Sequence, residues 1–331
     1  MDISPESLDV INILIQKGEY RTVQEFISTA IQNQIYLSKQ PDTHFSMESS
    51  QLNIHKNIDE TKSEFATSLE LKNYNVEVQD SKTTNTKNIL SGFWNKFLPV
   101  KITLRVLANM QNEMKEPVLL DLLQENASDE GRRLGRILVK KEKGSGRKRG
   151  DRLFTGLPIK RGEKSRLRFK SHFVGSLSRD KIDGMPGTLG LLYIFKGNDG
   201  KNYVSITERG LHFAEIPNSI IDNNDFSNAL SEEEKIFLVE AIKSQLPDEY
   251  DAIILVMRLI DEGNTETKSL LRELESTYPE WSKNKLTVFL TGILNRISDL
   301  GLVVRTFDSQ SFKYIVSEKG KIIINKDAGE K

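Results

Sequence analysis

The sequence predicts a mainly α-helical protein with small β-hairpins, an α+β architecture with a short helical segment and two larger modules. Apolar residues recur at helical spacing over most of the second half of the chain, and hydroxyl or proline helix-start signals precede several of these stripes. An Asp-Gly pair at 199–200 separates two apolar runs, which is a strong hairpin signal. The charges are also segregated, because 18 lysines and arginines but only four acidic residues lie between Arg132 and Lys181.

The composition favours small cores over one large enzyme core, with 37% hydrophobic and 28% charged residues in a chain of 331. There is no cysteine, which excludes disulfides and thiolate metal sites and fits a reducing compartment. The apolar runs are too short to cross a bilayer, and the first residues carry no secretory-signal pattern. We therefore expect a cytoplasmic protein without a membrane partner.

Residues 1–37 predict two short amphipathic helices. Ser4 and Pro5 form a helix-start signal, and Thr22 with Glu25 forms a capping box for the second helix. Each helix has one apolar face that it cannot bury alone, so we expect this segment to dimerise or to dock elsewhere.

The same segment carries apolar and turn residues at a recurring spacing. They are Leu8, Ile11, Gly18, Glu19, Tyr20, Thr22, Glu25, Phe26, Ile27, Ala30 and Ile31. This motif resembles the helical half of ribbon-helix-helix DNA-binding proteins, which are intertwined dimers. The resemblance implies a homodimer formed through residues 1–37. Only four residues precede the first helix, so the family's DNA-reading strand has no full-length counterpart here, and a plain helical hairpin is the alternative interpretation.

Residues 38–90 are rich in polar side chains and lack periodicity, which predicts a flexible linker. His44 and His55 lie in it, but no further metal-ligand residues stand at a usable spacing, so we expect no metal site there.

Residues 91–230 are predicted to form a basic module. One helix is expected to begin at Pro117 and another at Ser128. A third is expected over 164–178, with phenylalanines on its back and cations on another face. A hairpin that turns at 199–200 follows. The segment from Lys141 to Gly150 interleaves glycines with cations of nearly one sign, which predicts a flexible basic arm and argues against an ordinary solvated loop.

Residues 231–325 are predicted to form a second module, followed by a tail at 326–331. Helices are expected from Ser231, over 251–262 and 267–278, and from Ser282, before a hairpin within 300–316. From residue 231 onward there are 14 basic and 18 acidic residues, which favours a protein-contact or dimer surface over a nucleic-acid surface.

Three short motifs occur once in each module. The pairs are 164–167 with 283–286 (KSRL and KNKL), 189–191 with 300–302 (LGL in both), and 207–210 with 317–320 (TERG and SEKG). Helices followed by a hairpin that ends in the TERG or SEKG motif resemble winged helix-turn-helix modules of prokaryotic regulators. The resemblance implies two modules of that fold, which binds DNA, RNA or proteins.

Signatures of enzymes are missing from the sequence. There is no glycine-rich phosphate loop, no HExxH and no GxSxG, and neither His172 nor His212 has a carboxylate or serine partner at a recognisable spacing. We therefore predict no catalytic residue, no metal, no cofactor and no enzymatic activity.

The sequence thus predicts a DNA-binding protein, a dimeric transcriptional regulator or a nucleoid-associated DNA-organising factor, because an unbalanced cationic stretch favours a polyanionic partner. The predicted DNA-binding residues are Arg132, Arg133, Arg136, Arg147, Lys148, Arg149, Arg152, Lys160, Arg161, Lys164, Arg166, Arg168 and Lys170. The helix that begins at Lys164 is expected to meet base edges. The alternatives are an RNA-binding component of a ribonucleoprotein and an adaptor subunit that contacts a protein partner.

Overall fold

The computed structural model describes Val23 and residues 69–78, 89–148, 150–159, 163–178, 181–308 and 311–330. The chain divides into two compact units, residues 1–58 and 59–331. The helices expected within 1–37 lie outside the described residues apart from Val23, and so does most of the expected linker over 38–90.

The described part of the second unit is mainly α-helical with small antiparallel hairpins, as the sequence predicts. Its helices are α1 (Leu98–Met114), α2 (Leu120–Lys141), α3 (Glu163–Phe169), α4 (Met185–Thr188), α5 (Glu208–Glu215), α6 (Glu232–Gln245), α7 (Pro247–Asp261), α8 (Thr267–Thr277), α9 (Lys283–Asp299) and α10 (Glu318–Glu330). Its strands are β1 (Val118–Leu119), β2 (Ser176–Ser178), β3 (Lys181–Asp183), β4 (Leu192–Lys196), β5 (Asn202–Ile206), β6 (Val303–Asp308) and β7 (Ser311–Val316). A π-helical turn, Lys170–Val174, continues α3. Among these residues, no helix is both long and apolar enough to span a membrane.

The strands form three small antiparallel sheets. The first has the order β1-β5-β4, with Val118 opposite Val204, and the others are the pairs β2-β3 and β6-β7. An isolated bridge joins Glu266 to Lys313 of β7. In both halves, therefore, a short extended stretch between two helices pairs with the second strand of the later hairpin.

Helix α2 corrects two predicted helix starts. Pro117 precedes strand β1, and Ser128 lies in the middle of α2, fully buried, where its hydroxyl donates to the carbonyl of Glu125 at 2.9 Å. A serine cap contributes about 1 kcal/mol, which is less than the burial of Leu134 and Leu138 on the continuous helix. The cap signal is therefore outweighed.

The predicted helix over 164–178 is shorter than expected. It ends in the π-helical turn, and Gly175 follows with a φ of 116°, a conformation that favours glycine. Leu177 and Ser178 then belong to strand β2 instead of the helix.

The motif at the end of the first hairpin has a defined hydrogen-bond geometry. The Thr207 hydroxyl donates to the carbonyl of Gly190 at 2.8 Å and accepts from the N–H of Gly210 at 3.0 Å. Gly190 has a φ of 68°. Thr207 thereby caps α5 and ties its first turn to the start of the hairpin.

Its repeat in the second half has the same geometry. The Ser317 hydroxyl donates to the carbonyl of Gly301 at 2.8 Å and accepts from the N–H of Gly320 at 3.1 Å, and Gly301 has a φ of 72°. The sequence repeat therefore corresponds to a repeated structural unit.

Buried ion pairs tie α1 to the segment that connects the halves. The ammonium of Lys101 lies 3.0 Å from a Glu234 carboxylate oxygen, and Arg105 donates to both oxygens of Asp222 at 2.9 and 2.7 Å. Burial lowers the pKa of Lys101 to about 8, and Glu234 opposes that shift.

A third buried pair holds the start of the first half against α9. Arg296 and Glu249 are both fully buried, 2.6 Å apart, and Glu249 also accepts from the N–H of Leu90. Arg296 donates to the carbonyls of Ser91 and Trp94. One continuous hydrophobic core runs through both halves.

Candidate nucleic-acid interface

Helix α2 presents three predicted cations at every fourth position. Arg136 and Lys140 are exposed, and Arg132 is half-buried. The neighbouring face is occupied, because a Cβ on Gly131 would lie 3.0 Å from the Phe169 ring and a Cβ on Gly135 would lie 2.5 Å from the Ile159 side chain. Packing on that face leaves the cations of the next face directed outward.

Helix α3 divides its cations between two faces. Arg166 lies 2.8 Å from Glu125 and 2.7 Å from Asp129, and Lys170 also pairs with Glu125. These two cations therefore face α2 and are neutralised by its first half. Their charges cannot be counted as free for a phosphate backbone without breaking these pairs.

The other face of α3 carries Lys164 and Arg168, which are both exposed. Lys164 and Arg168 are four residues apart, as Arg166 and Lys170 are, but they lie on a different face of the helix from that pair. The base-reading positions that the sequence predicted on this helix are thus separated into a paired and an unpaired set.

The predicted arm has contacts at Arg147, and the residue that follows the arm, Asp151, is also paired. Arg147 pairs with Glu142 at 3.0 Å and donates to the carbonyls of Phe226 and Ser227. The carboxylate of Asp151 pairs with Arg305 of β6.

Between these two residues, the ammonium of Lys148 lies 4.8 Å from the Phe307 ring centroid. Gly144 and Gly146 of the arm are surrounded by open space, whereas a Cβ on Gly150 would lie 2.7 Å from the Arg305 guanidinium. Arg147 and Lys148 of the predicted arm, and Asp151 just after it, therefore have partners on distant segments of the chain, which the expectation of a flexible arm did not include.

Two further predicted residues have local partners. Arg133 pairs with Glu130 one helical turn earlier at 3.0 Å, and Arg152 lies 5.6 Å from the Phe154 ring centroid. The predicted residues Arg149, Lys160 and Arg161 lie outside the described residues.

From α2 through α3, five exposed cations make neither an ion pair with a described carboxylate nor a contact with an aromatic ring. We call them the unpaired cations; they are Arg136, Lys140, Lys143, Lys164 and Arg168. Lys143 was not among the predicted site residues, although it lies inside the same cationic stretch. Within the described part of the chain, no three His, Asp or Glu side chains are grouped to hold a metal ion.

Four of the unpaired cations lie on α2 and α3, which the ion pairs of Arg166 and Lys170 hold together, and Lys143 lies just after the end of α2. Cations whose charge no carboxylate neutralises create a positive potential that attracts polyanions. No family model, curated protein or solved structure matches this chain.

Proposed function

We propose that this protein binds DNA, as a dimeric transcriptional regulator or a DNA-organising factor, through α2 and α3 of its first half. The observation that carries the proposal is the set of five unpaired cations in a chain whose basic and acidic residues balance overall, 47 against 47. Unpaired cations on adjoining helices gain most from a partner that supplies regularly spaced phosphates.

We further propose that each half is a winged-helix module. The support is the order of elements, in which a helix, a short extended stretch, two helices and a hairpin occur in α1 to β5 and again in α7 to β7. The first half has an additional hairpin, β2-β3, and the short helix α4 inserted between α3 and β4. In this interpretation α3 and α9 are the corresponding recognition helices. The second half has an acidic balance, so its role in the proposal is protein contact.

The dimer is part of the proposal and rests on the motif in residues 1–37 and on the second half as an additional contact surface. Two copies would present two sets of unpaired cations to one duplex, so binding should depend on both. Analytical ultracentrifugation of the full chain and of a version lacking residues 1–37 tests this part separately.

The decisive experiment is fluorescence anisotropy of the full chain with labelled duplex DNA over a salt series. If about six phosphates are neutralised, the slope of log affinity against log salt concentration is about −5. The test variant removes four unpaired cations: Arg136→Gln, Lys140→Gln, Lys164→Gln and Arg168→Gln. The matched control removes four exposed cations elsewhere: Lys268→Gln, Arg272→Gln, Lys321→Gln and Lys326→Gln.

The test variant should bind more weakly to every duplex, and its slope should be less negative by about one for each phosphate that it no longer neutralises. The control variant should keep the affinity and slope of the natural protein. Equal losses in both variants would show that net charge alone drives binding and would contradict the proposed surface. A structured RNA of equal length, used as a competitor, distinguishes DNA from RNA as the partner.

A further inference from the structure

Phe93 is an exposed aromatic residue on a segment that is held rigidly. Its side chain is 64% exposed, whereas the next residue, Trp94, is buried. The backbone on both sides is fixed, because buried Arg296 donates to the carbonyls of Ser91 at 3.2 Å and Trp94 at 2.8 Å. An exposed phenylalanine forfeits the burial that a core position would provide. A backbone that fixes such a ring in solvent supplies an aromatic face already in place for a ligand to stack on.

Two glycines bring this segment against α9. A Cβ on Gly92 would lie 2.3 Å from the carbonyl oxygen of Val288, and a Cβ on Gly292 would lie 2.6 Å from the Cα of Gly92. Both backbones therefore approach too closely for any side chain. This contact places Phe93 beside the exposed side of α9.

Next to Phe93 lies a cleft of about 610 Å³ between the π-helical turn and α9. The residues that matter for recognition are Phe93, Asn95, Arg168, His172, Thr287 and Thr291. The Phe93 and His172 rings are nearly parallel, at 27°, with centroids 6.3 Å apart. The volume falls within the range of pockets for drug-sized ligands, roughly 300–1,000 Å³.

The cleft is electrostatically suited to an anion. Among the described residues that line it, Arg168 is the one permanently charged side chain and no carboxylate occurs. Burial lowers the pKa of His172 from its usual 6.5, the nearby Arg168 cation lowers it further, and the Asp183 carboxylate opposes the shift without cancelling it. At neutral pH the imidazole is therefore uncharged, a flat ring that can donate or accept a hydrogen bond.

The α9 hydroxyls have a defined polarity. Thr287 donates to the carbonyl of Lys283 at 2.8 Å, and Thr291 donates to that of Thr287 at 2.7 Å. Their oxygens consequently retain only acceptor capacity toward the cleft, so they suit a ligand with N–H donors at its edge. Asn95 adds an amide that can both donate and accept.

We propose that this cleft binds one nucleotide, with the base stacked on Phe93, the phosphate on Arg168, and the base edge at Asn95 and the α9 hydroxyls. An unpaired nucleotide in bound DNA and a free nucleoside monophosphate offer this same chemistry. The inference rests on the proposed function in one respect, because Arg168 is both one of the unpaired cations and the phosphate ligand of the cleft. Stacking on an aromatic ring tolerates any base, so recognition of the edge would set the preference.

The test compares a fully paired duplex with the same duplex containing one bulged adenosine, using the full chain and anisotropy. Calorimetry with AMP and UMP tests the free nucleotides. We expect tighter binding of the bulged duplex or measurable binding of a monophosphate. In Phe93→Ala the ratio of bulged to paired affinity, or the affinity for the monophosphate, should fall roughly tenfold, which is within the range found when a stacking aromatic is removed. Phe93→Tyr should retain it.

The matched control is Phe307→Ala, which removes a phenylalanine that is 49% exposed outside the cleft. It should leave the ratio of bulged to paired affinity unchanged. Loss of monophosphate binding in Phe93→Ala and Arg168→Gln identifies a free nucleotide as the ligand, and loss of bulge preference alone identifies bound DNA.

The two proposals fail in different ways. If the paired duplex is bound but neither a bulge preference nor a monophosphate signal depends on Phe93, the cleft proposal is overturned and DNA binding stands. If no duplex is bound but AMP binding depends on Phe93 and Arg168, the cleft proposal stands and the proposed function falls. Unchanged circular dichroism and melting temperature verify that each variant is folded.

Discussion

Replacing Arg296 by methionine should destabilise the second unit severely. Arg296 and Glu249 are both fully buried, and the guanidinium also donates to the carbonyls of Ser91 and Trp94. Methionine fills much of the same volume but carries no donor. The substitution therefore leaves a buried carboxylate without its cation and two carbonyls without this donor.

The magnitude follows from what is left behind. Breaking a buried ion pair by removing one partner costs about 3–5 kcal/mol, because the remaining charge is neither solvated nor paired. The hydrogen bonds to two neutral carbonyls contribute about 1 kcal/mol each in isolation, although the losses do not simply add. A domain has a total unfolding free energy of roughly 5–15 kcal/mol, so a third or more of the stability is at stake.

Equilibrium urea unfolding, followed by circular dichroism, measures this loss as a fall in the transition midpoint at an unchanged slope. The double variant Arg296→Met with Glu249→Leu should recover part of the stability, because neither partner then remains charged and buried. The control is Lys321→Met, which removes an exposed ion pair with Glu318 and should change stability by less than about 0.5 kcal/mol.

The reasoning would be refuted if Arg296→Met cost less than about 1 kcal/mol. It would also be refuted if the double variant were no more stable than the single one, because the loss would then come from packing and not from the stranded charge. Trp94 fluorescence reports whether the segment around it has detached from α9.

Three further outcomes are expected. Gly210→Ala and Gly320→Ala should each destabilise by about 1–3 kcal/mol, the first more than the second, since the new Cβ would lie 1.8 and 2.4 Å from a backbone carbonyl oxygen. NMR titration of His172 should give a pKa below 6.5 that rises in Arg168→Gln. Because the unfolded chain binds this proton first, His172's contribution to stability should fall as pH drops from 6.5 through the folded pKa. Ser231→Ala should cost about 1 kcal/mol, because it removes the hydroxyl of a complete capping box.

Each of these has its own control. Gly329→Ala adds a methyl group in open space within α10 and should be neutral or slightly stabilising. A His172 pKa at or above 6.5 would contradict the buried, cation-flanked position. Ser231→Thr should preserve most of the cap, and equal losses in the alanine and threonine variants would contradict its role.

Local signals predicted structure well where both partners stand within a few residues of each other. Ser231 and Ser282 cap the helices that were expected to begin there, and both hairpins form at the predicted turns. Thr207 caps α5 through the N–H three residues later. Because these contacts join residues at a short, fixed separation along the chain, they can be predicted from the sequence alone.

The same kind of signal failed where packing opposed it. Ser128 is a residue type that often caps helices, but it lies inside α2, because continuing the helix buries more apolar side chains than the cap would stabilise. Helix α10 was not anticipated after Ser317, although its first turn repeats the motif that begins α5. The close contact of Gly92 with α9 has no sequence signal, because its partner is almost two hundred residues away.

The sequence by itself determined the mainly helical class, the repeat and the segment in which the cations concentrate. Tertiary structure alone decided which of those cations stay unpaired. Arg166 and Lys170 meet Glu125, 41 and 45 residues earlier in the chain, whereas Lys164 and Arg168 on the next face meet no described carboxylate. A charge count along the chain cannot separate these cases, because electrostatic pairing depends on distance in space, which only the packing of α3 against α2 establishes.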